Sequence, residues 1–222
     1  MKAFRLIGVL GGTFDPIHYG HLRVAEEVAE ALGLAEVRFV PAARPPLREA
    51  PVAAAEHRAE MVRLAIAGNP RFVLEPCELQ RPGVSYTVDT LETLRRALGS
   101  DTGLCLILGG DAAARLPAWS RWQRLGELAH LVLVNRPGGG PVPDPAWPPA
   151  LLREWEARRR DAPAELASAP AGGMLQVATT PLAISASSLR ALLRAGRSPR
   201  YLLPDSVLDY IEINRLYVPG GG

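Results

Sequence analysis

The chain has 222 residues, 48% hydrophobic and 22% charged, which suits one compact domain with a sizeable core. Its 25 Lys and Arg against 23 Asp and Glu leave a net charge of +2, so neither nucleic acid nor a membrane surface is an expected partner. Cys77 and Cys105 lack CxxC spacing and a neighbouring His, which argues against a disulfide framework or zinc site, and no apolar run approaches about 18 residues. The cysteines read as buried structural thiols, and a soluble cytoplasmic protein is expected.

In chain order, Arg5–Leu10 reads as a short buried strand ending in a double glycine. Leu22, Ala25, Val28, Ala29 and Leu32 then follow helical spacing, with Gly33 as a stop. Glu36–Pro41 is the next strand, followed by a Pro/Arg-rich loop and a helix from about Glu56 to Ala67. Phe72–Leu74 is a candidate strand, and Val88, Leu91, Leu94 and Leu98 mark a helix closed by Gly99. Leu104–Leu108 is an uninterrupted apolar run ending in Gly109-Gly110, and Leu131–Val134 is similar. The segment around 137–173, rich in Pro, Gly and Ala, reads as a surface insertion with room for one short helix. A Ser-rich turn at Ser185–Ser188 opens a helix through Leu193, and a last helix lies near Asp205–Ile213.

Apolar strands alternating with amphipathic helices indicate an α/β fold, a doubly wound parallel sheet with helices on both faces and a small C-terminal helical part, in a single domain over 1–222. Ligands of such sheets bind beyond the carboxyl ends of the strands, where both Gly-Gly pairs fall.

The strongest local signal is Gly11-Gly12-Thr13-Phe14-Asp15-Pro16-Ile17-His18-Tyr19-Gly20-His21. Glycines let backbone amides approach a phosphate, and the helix start that follows suits an anion. At i, i+3 spacing His18 and His21 can project to one side and donate to phosphate oxygens. With a reference pKa of about 6.5 they can also gain charge beside an anion. The segment resembles the (H/T)xGH signature of the nucleotidylyltransferase superfamily. That resemblance implies a Rossmann-like fold in which His18 and His21 stabilise charge on the phosphates of ATP during adenylyl transfer.

The second signal is Ile184-Ser185-Ala186-Ser187-Ser188-Leu189-Arg190, whose hydroxyls can cap a helix and whose Arg190 can reach the same anion one turn in. Beside the first motif it resembles the superfamily's ISxTxxR element, with Ser187 in place of the usual Thr, which contacts ATP phosphates.

Pro41–Pro46, Val84-Ser85-Tyr86-Thr87-Val88-Asp89-Thr90-Leu91, and Gly109-Gly110-Asp111 before Pro117-Ala118-Trp119 then resemble, in order and spacing, the nicotinate-nucleotide adenylyltransferases from Leu6 to about Tyr217. The resemblance implies that Trp119 stacks on a pyridine ring, with amides near Thr87 and Ser120 receiving its carboxylate and Tyr86 alongside. It puts Asp111 near the adenosine ribose and Arg136 near the adenine. The family often has a His and a basic residue after the two prolines; here Leu47 and Arg48 stand there, and Arg48 can keep the charge. His57 and His130 read as structural or surface residues, and Trp122, Trp147 and Trp155 as packing residues.

The implied reaction joins AMP from ATP to nicotinate mononucleotide, giving nicotinate adenine dinucleotide and pyrophosphate. His18, His21 and Arg190 are the catalytic candidates. Gly11, Gly12, Thr13, Phe14, Asp111, Arg136, Ser185 and Ser187 bind ATP, and Tyr86, Thr87, Trp119, Ser120 and Arg48 bind the acceptor. Mg²⁺ is expected to arrive with ATP, since no compact carboxylate cluster offers a dedicated metal site. Two alternatives stay open: a superfamily member with nicotinamide mononucleotide, phosphopantetheine or a flavin precursor as acceptor, and a non-catalytic nucleotide-binding module. Homo-oligomerisation also stays open.

Overall fold

The protein is described by a computed structural model covering residues 3–46, 50–134 and 143–218. Six strands form one sheet: β1 (Arg5–Gly12), β2 (Glu36–Pro41), β3 (Phe72–Leu74), β4 (Thr102–Gly109), β5 (His130–Val134) and β6 (Met174–Val177). Their order is β3-β2-β1-β4-β5-β6 and every pairing is parallel. This is the doubly wound order, in which the chain turns back between β1 and β4 and leaves a crevice beyond their carboxyl ends.

The central strands are apolar on both faces because both faces are covered. Leu6 and Leu10 of β1, Cys105 and Ile107 of β4, and Val132 and Val134 of β5 belong to one core cluster. The alternating partners Ile7, Val9, Leu104, Leu106, Leu131 and Leu133 belong to the other, as the two-residue period of a strand requires. The first face is covered by α1 (Tyr19–Leu32), α2 (Ala55–Ile66), α9 (Ala186–Arg194) and α10 (Asp205–Ile213), and the second by α4 (Thr87–Leu98), α6 (Trp122–Leu128) and α7 (Pro149–Arg158). In α1 the expected stripe is buried at Ala25, Val28, Ala29 and Leu32. Gly33 closes the helix in the left-handed region, φ 58°, with its N–H donated to the Ala29 and Glu30 carbonyls, a conformation glycine adopts without Cβ strain.

Short elements complete the chain: α3 (Cys77–Gln80), α5 (Gly110–Ala114), a 3₁₀ turn at Leu116–Ala118, and α8 (Pro163–Leu166). The sequence reading does not anticipate β6, a four-residue strand. It pairs with β5, and His130 fixes the approach to it: Nδ1 accepts from the Gly173 N–H at 3.0 Å and Nε2 contacts the Ala169 carbonyl at 2.9 Å. Within the excursion around 137–173 the described residues carry two helices, α7 and α8, where one was expected. Its Trp147 and Trp155 are 5% and 6% exposed and meet edge to face at 6.2 Å. That part of the excursion completes the second face of the core. Among the described residues no helix is long and apolar enough to cross a membrane.

Candidate active site

At the carboxyl end of β1 the chain leaves Gly12, passes Phe14 at a left-handed φ of 49° and a cis Asp15–Pro16 peptide, and enters α1 with His18 at its N-cap. The His18 N–H donates to Nδ1 of His21 at 3.3 Å, and the two rings stack with centroids 3.8 Å apart. Phe14 meets the His21 ring edge to face at 5.1 Å. With Nδ1 of His21 accepting that bond, the ring proton lies on Nε2. Gly20 makes the stacked pair sterically possible, since a Cβ there would meet Cε1 and Nδ1 of His18 at 3.0 Å.

His18 is 6% exposed, and desolvation lowers its pKa to about 4. The sequence allowed a charged imidazole; in the folded chain His18 is a neutral donor near pH 7, because burial penalises the charged form. A permanent cation beside the turn is Arg190. Its Nη1 donates to the Asp15 carbonyl at 2.7 Å and lies 3.7 Å from the Asp15 carboxylate. Among the described residues His18 Nδ1 and Arg190 Nε are buried polar atoms with no hydrogen-bond partner. Buried polar atoms are normally paired, and these two belong to the two motifs that the sequence singles out.

The second motif meets the first here. Ser185 caps α9, its Oγ accepting the Ser188 N–H at 3.1 Å and lying 3.1 Å from the Ser187 hydroxyl. The Ile184 carbonyl comes within 3.8 Å of where a Gly20 Cβ would stand. Thus the folded chain brings 175 residues of sequence separation down to a direct Arg190–Asp15 contact.

The acceptor candidates and Asp111 lie at the starts of α4 and α5 and at the 3₁₀ turn. Thr87 is the first residue of α4, with Tyr86 at the N-cap, where backbone N–H groups have no intrahelical acceptor. Trp119 ends the 3₁₀ turn, half-buried against the second core face. Arg121, at φ 48°, pairs with Asp89 and with Glu92 at 3.2 Å, so Trp119 and Ser120 are held beside the first turns of α4. Asp111 lies in the first turn of α5 at the carboxyl end of β4, with Gly109 as the N-cap. Arg48 and Arg136, like Leu47, lie outside the described residues.

Three buried polar residues at this site were assigned no role from sequence. Asp15 is 3% exposed; its carboxylate accepts from the Val52 and Ala53 N–H groups at 2.8 and 3.1 Å and from the Tyr217 hydroxyl at 2.7 Å. Burial and the Asp15 carboxylate push the Tyr217 hydroxyl pKa far up, so it stays a donor. Arg58 is 1% exposed, with burial lowering its pKa. Asp15 stood inside the quoted motif, whereas Arg58 and Tyr217 carry no local pattern. Cys77 and Cys105 are unpaired and burial raises both thiols to about 12, which rules them poor nucleophiles.

A cytidylyltransferase-like family model matches residues 9–192 of the chain. A probable nicotinate-nucleotide adenylyltransferase of Dechloromonas aromatica is 51% identical over 211 residues, covering 95% of this chain and 97% of that one. One from Halorhodospira halophila is 54% identical over 207 residues, covering 93% and 92%. A solved structure of Plasmodium falciparum nicotinic acid mononucleotide adenylyltransferase complexed with NaAD matches with a TM-score of 0.71 over 96% of this chain and 97% of that one. At 18% identity that last match bears on the fold.

Proposed function

The chain belongs to the nicotinate-nucleotide adenylyltransferases of the cytidylyltransferase-like family, and from that premise we propose how its residues carry the reaction. The chain transfers AMP from ATP to nicotinate mononucleotide. A 5′-phosphate oxygen of the mononucleotide attacks the α-phosphorus of ATP in line, the bond from that phosphorus to the bridging oxygen breaks, and pyrophosphate leaves with the electron pair. The task of the protein is to hold two anions in line and to neutralise charge as it develops.

The observation that carries this reading is the pair of buried atoms unpartnered among the described residues, His18 Nδ1 in the first motif and Arg190 Nε, whose guanidinium bonds the Asp15 carbonyl of that motif. His18 donates to the α-phosphate as a neutral imidazole, and His21 donates through Nε2 to the neighbouring phosphates. Arg190 supplies the fixed positive charge for the leaving pyrophosphate, with Ser185 and Ser187 beside it. Amides at Gly11–Phe14 complete the phosphate cradle, and Asp111 takes the ribose. On the acceptor side Trp119 stacks on the pyridine ring, while the helix start at Tyr86–Thr87 and the Ser120 amide take the carboxylate, an anion at the positive end of α4. Arg48 and Arg136 are proposed to contact the acceptor and the adenine.

Mg²⁺ belongs to the ATP substrate in this scheme. Every protein role above is a hydrogen-bond or charge contact.

A donor and acceptor screen tests the assignment. With Mg²⁺, nicotinate mononucleotide and ATP, nicotinate adenine dinucleotide and pyrophosphate are expected in equal amounts, and CTP is expected to give no product. Turnover of phosphopantetheine or a flavin precursor instead would move the chain to another branch of the superfamily. Binding without pyrophosphate release would make it a nucleotide-binding module.

A further inference from the structure

Arg58 sits on α2 with no part in either phosphate motif, yet its guanidinium is among the most deeply buried groups in the molecule. Nη1 donates to the Thr13 carbonyl at 2.7 Å, Nε to the Ala53 carbonyl at 3.1 Å, and Nη2 to the Ala43 carbonyl at 3.4 Å. Thr13 belongs to the turn that carries the histidines. Ala43 belongs to the loop after β2, where the Ala43 and Arg44 N–H groups both donate to Ser85 Oγ, at 3.0 and 3.1 Å, and Ser85 N–H returns a bond to the Arg44 carbonyl at 3.0 Å. Ser85 stands two residues before Thr87, the start of α4. A continuous hydrogen-bonded path thus runs from the phosphate turn through Arg58 to the acceptor side.

We propose that Arg58 is a positioning residue that sets the distance and angle between the ATP half and the acceptor half of the site. A planar fork suits that role, because it can span three carbonyls in fixed directions, whereas a lysine ammonium is a single point charge on a flexible stem. Burying a guanidinium is costly, and carbonyl dipoles with the nearby Asp15 carboxylate offset that cost. Neutral apolar packing at this helix position would meet the needs of the core alone; the fork meets the needs of two loops that must stay in register. In-line attack is sensitive to such register, a misplacement of about 1 Å costing on the order of 10²-fold in rate.

The inference rests on the adenylyl-transfer reading for its catalytic part, and two readouts separate them. Arg58→Lys and Arg58→Gln are compared with the unmodified chain. In ligand-free protein, amide hydrogen exchange at Ala43, Arg44 and Ser85 is expected to rise by roughly tenfold or more, as the loss of a charged hydrogen bond implies, with amides of β4 unchanged. In turnover, kcat per binding-competent site, counted by titration with a non-hydrolysable ATP analogue, is expected to fall by about 10²-fold while KM for each substrate changes little. Unchanged exchange at those three amides in both variants would overturn the tie. Raised exchange with unchanged kcat per site would overturn its part in catalysis. An unmodified chain that makes no dinucleotide would sink the adenylyl-transfer reading instead, and the exchange result would still decide the tie.

Discussion

His18 carries the heaviest demand of any single residue. It is buried, stacked on His21 and neutral, with a nitrogen that has no hydrogen-bond partner among the described residues. His18→Ala is expected to lower kcat by on the order of 10²-fold, as for one preorganised donor at a developing charge; an unchanged rate in a folded variant would remove His18 from the mechanism. The same residue leaves a mark on stability. Its pKa is about 4 when folded and 6.5 when not, so between those values the unfolded chain binds more protons. Stability is therefore full above pH 6.5 and falls as pH drops toward 4, by about 3 kcal/mol when the loss is complete. His18→Gln should flatten that part of the pH–stability curve in denaturant titrations. A residual slope is expected from His130, which burial also shifts downward.

Gly20 supplies the steric counterpart. A methyl group there would press on the His18 ring from 3.0 Å, while helix propensity alone would favour alanine by about 1 kcal/mol. Gly20→Ala is expected to keep or raise the melting temperature and to lower kcat by roughly tenfold or more, because the ring moves off line. Parallel losses of stability and activity would show the clash to be spread into the helix instead. The histidines, the glycines and Arg190 were legible in the sequence because their chemistry is local and their spacing is helical. The state of His18 was not, since its charge depends on burial contributed by distant segments. Arg58 was hidden for the same reason: in the sequence it is one more arginine on a helix.

At the scale of elements, periodicity found what is long and regular. The last helix spans Asp205–Ile213, β2 spans Glu36–Pro41, and α1 and α4 end at Gly33 and Gly99, all as the pattern suggested. It did not reveal β6, Met174–Val177, which directly follows an Ala/Pro stretch read as part of the surface excursion. Nor did it foresee two helices in the excursion that holds α7, although Trp147 and Trp155 there read as packing residues and are buried. Trp155→Ala is expected to cost about 3–5 kcal/mol in chemical denaturation. Trp155→Phe should cost much less, since the indole N–H it removes has no partner among the described residues. Equal costs would mean that the N–H, and not the ring, carries the stabilisation.

Over the whole molecule, one topological fact decides where function lies. The turn from β1 toward one edge and from β4 toward the other opens the crevice, and Gly11-Gly12 and Gly109-Gly110 both end strands at that switch. The alternation of apolar strands and amphipathic helices by itself implies a sheet of this kind. What it could not supply was the closure of the site across the chain, in which Arg190 and Tyr217 return from the C-terminal helical part to grip Asp15. Those contacts span 175 and 202 residues, beyond the reach of any local pattern. The C-terminal part is consequently a wall of the site, and the phosphate turn depends on it.

The most direct test of the account is dinucleotide formation from MgATP with nicotinate mononucleotide and nicotinamide mononucleotide compared side by side. The acceptor side offers a helix start and loop amides to a carboxylate, so kcat/KM is expected to favour the nicotinate form strongly. Equal use of both, or preference for the nicotinamide form, would contradict the carboxylate-binding role given to Tyr86–Thr87 and Ser120, and activity with neither would contradict the acceptor itself.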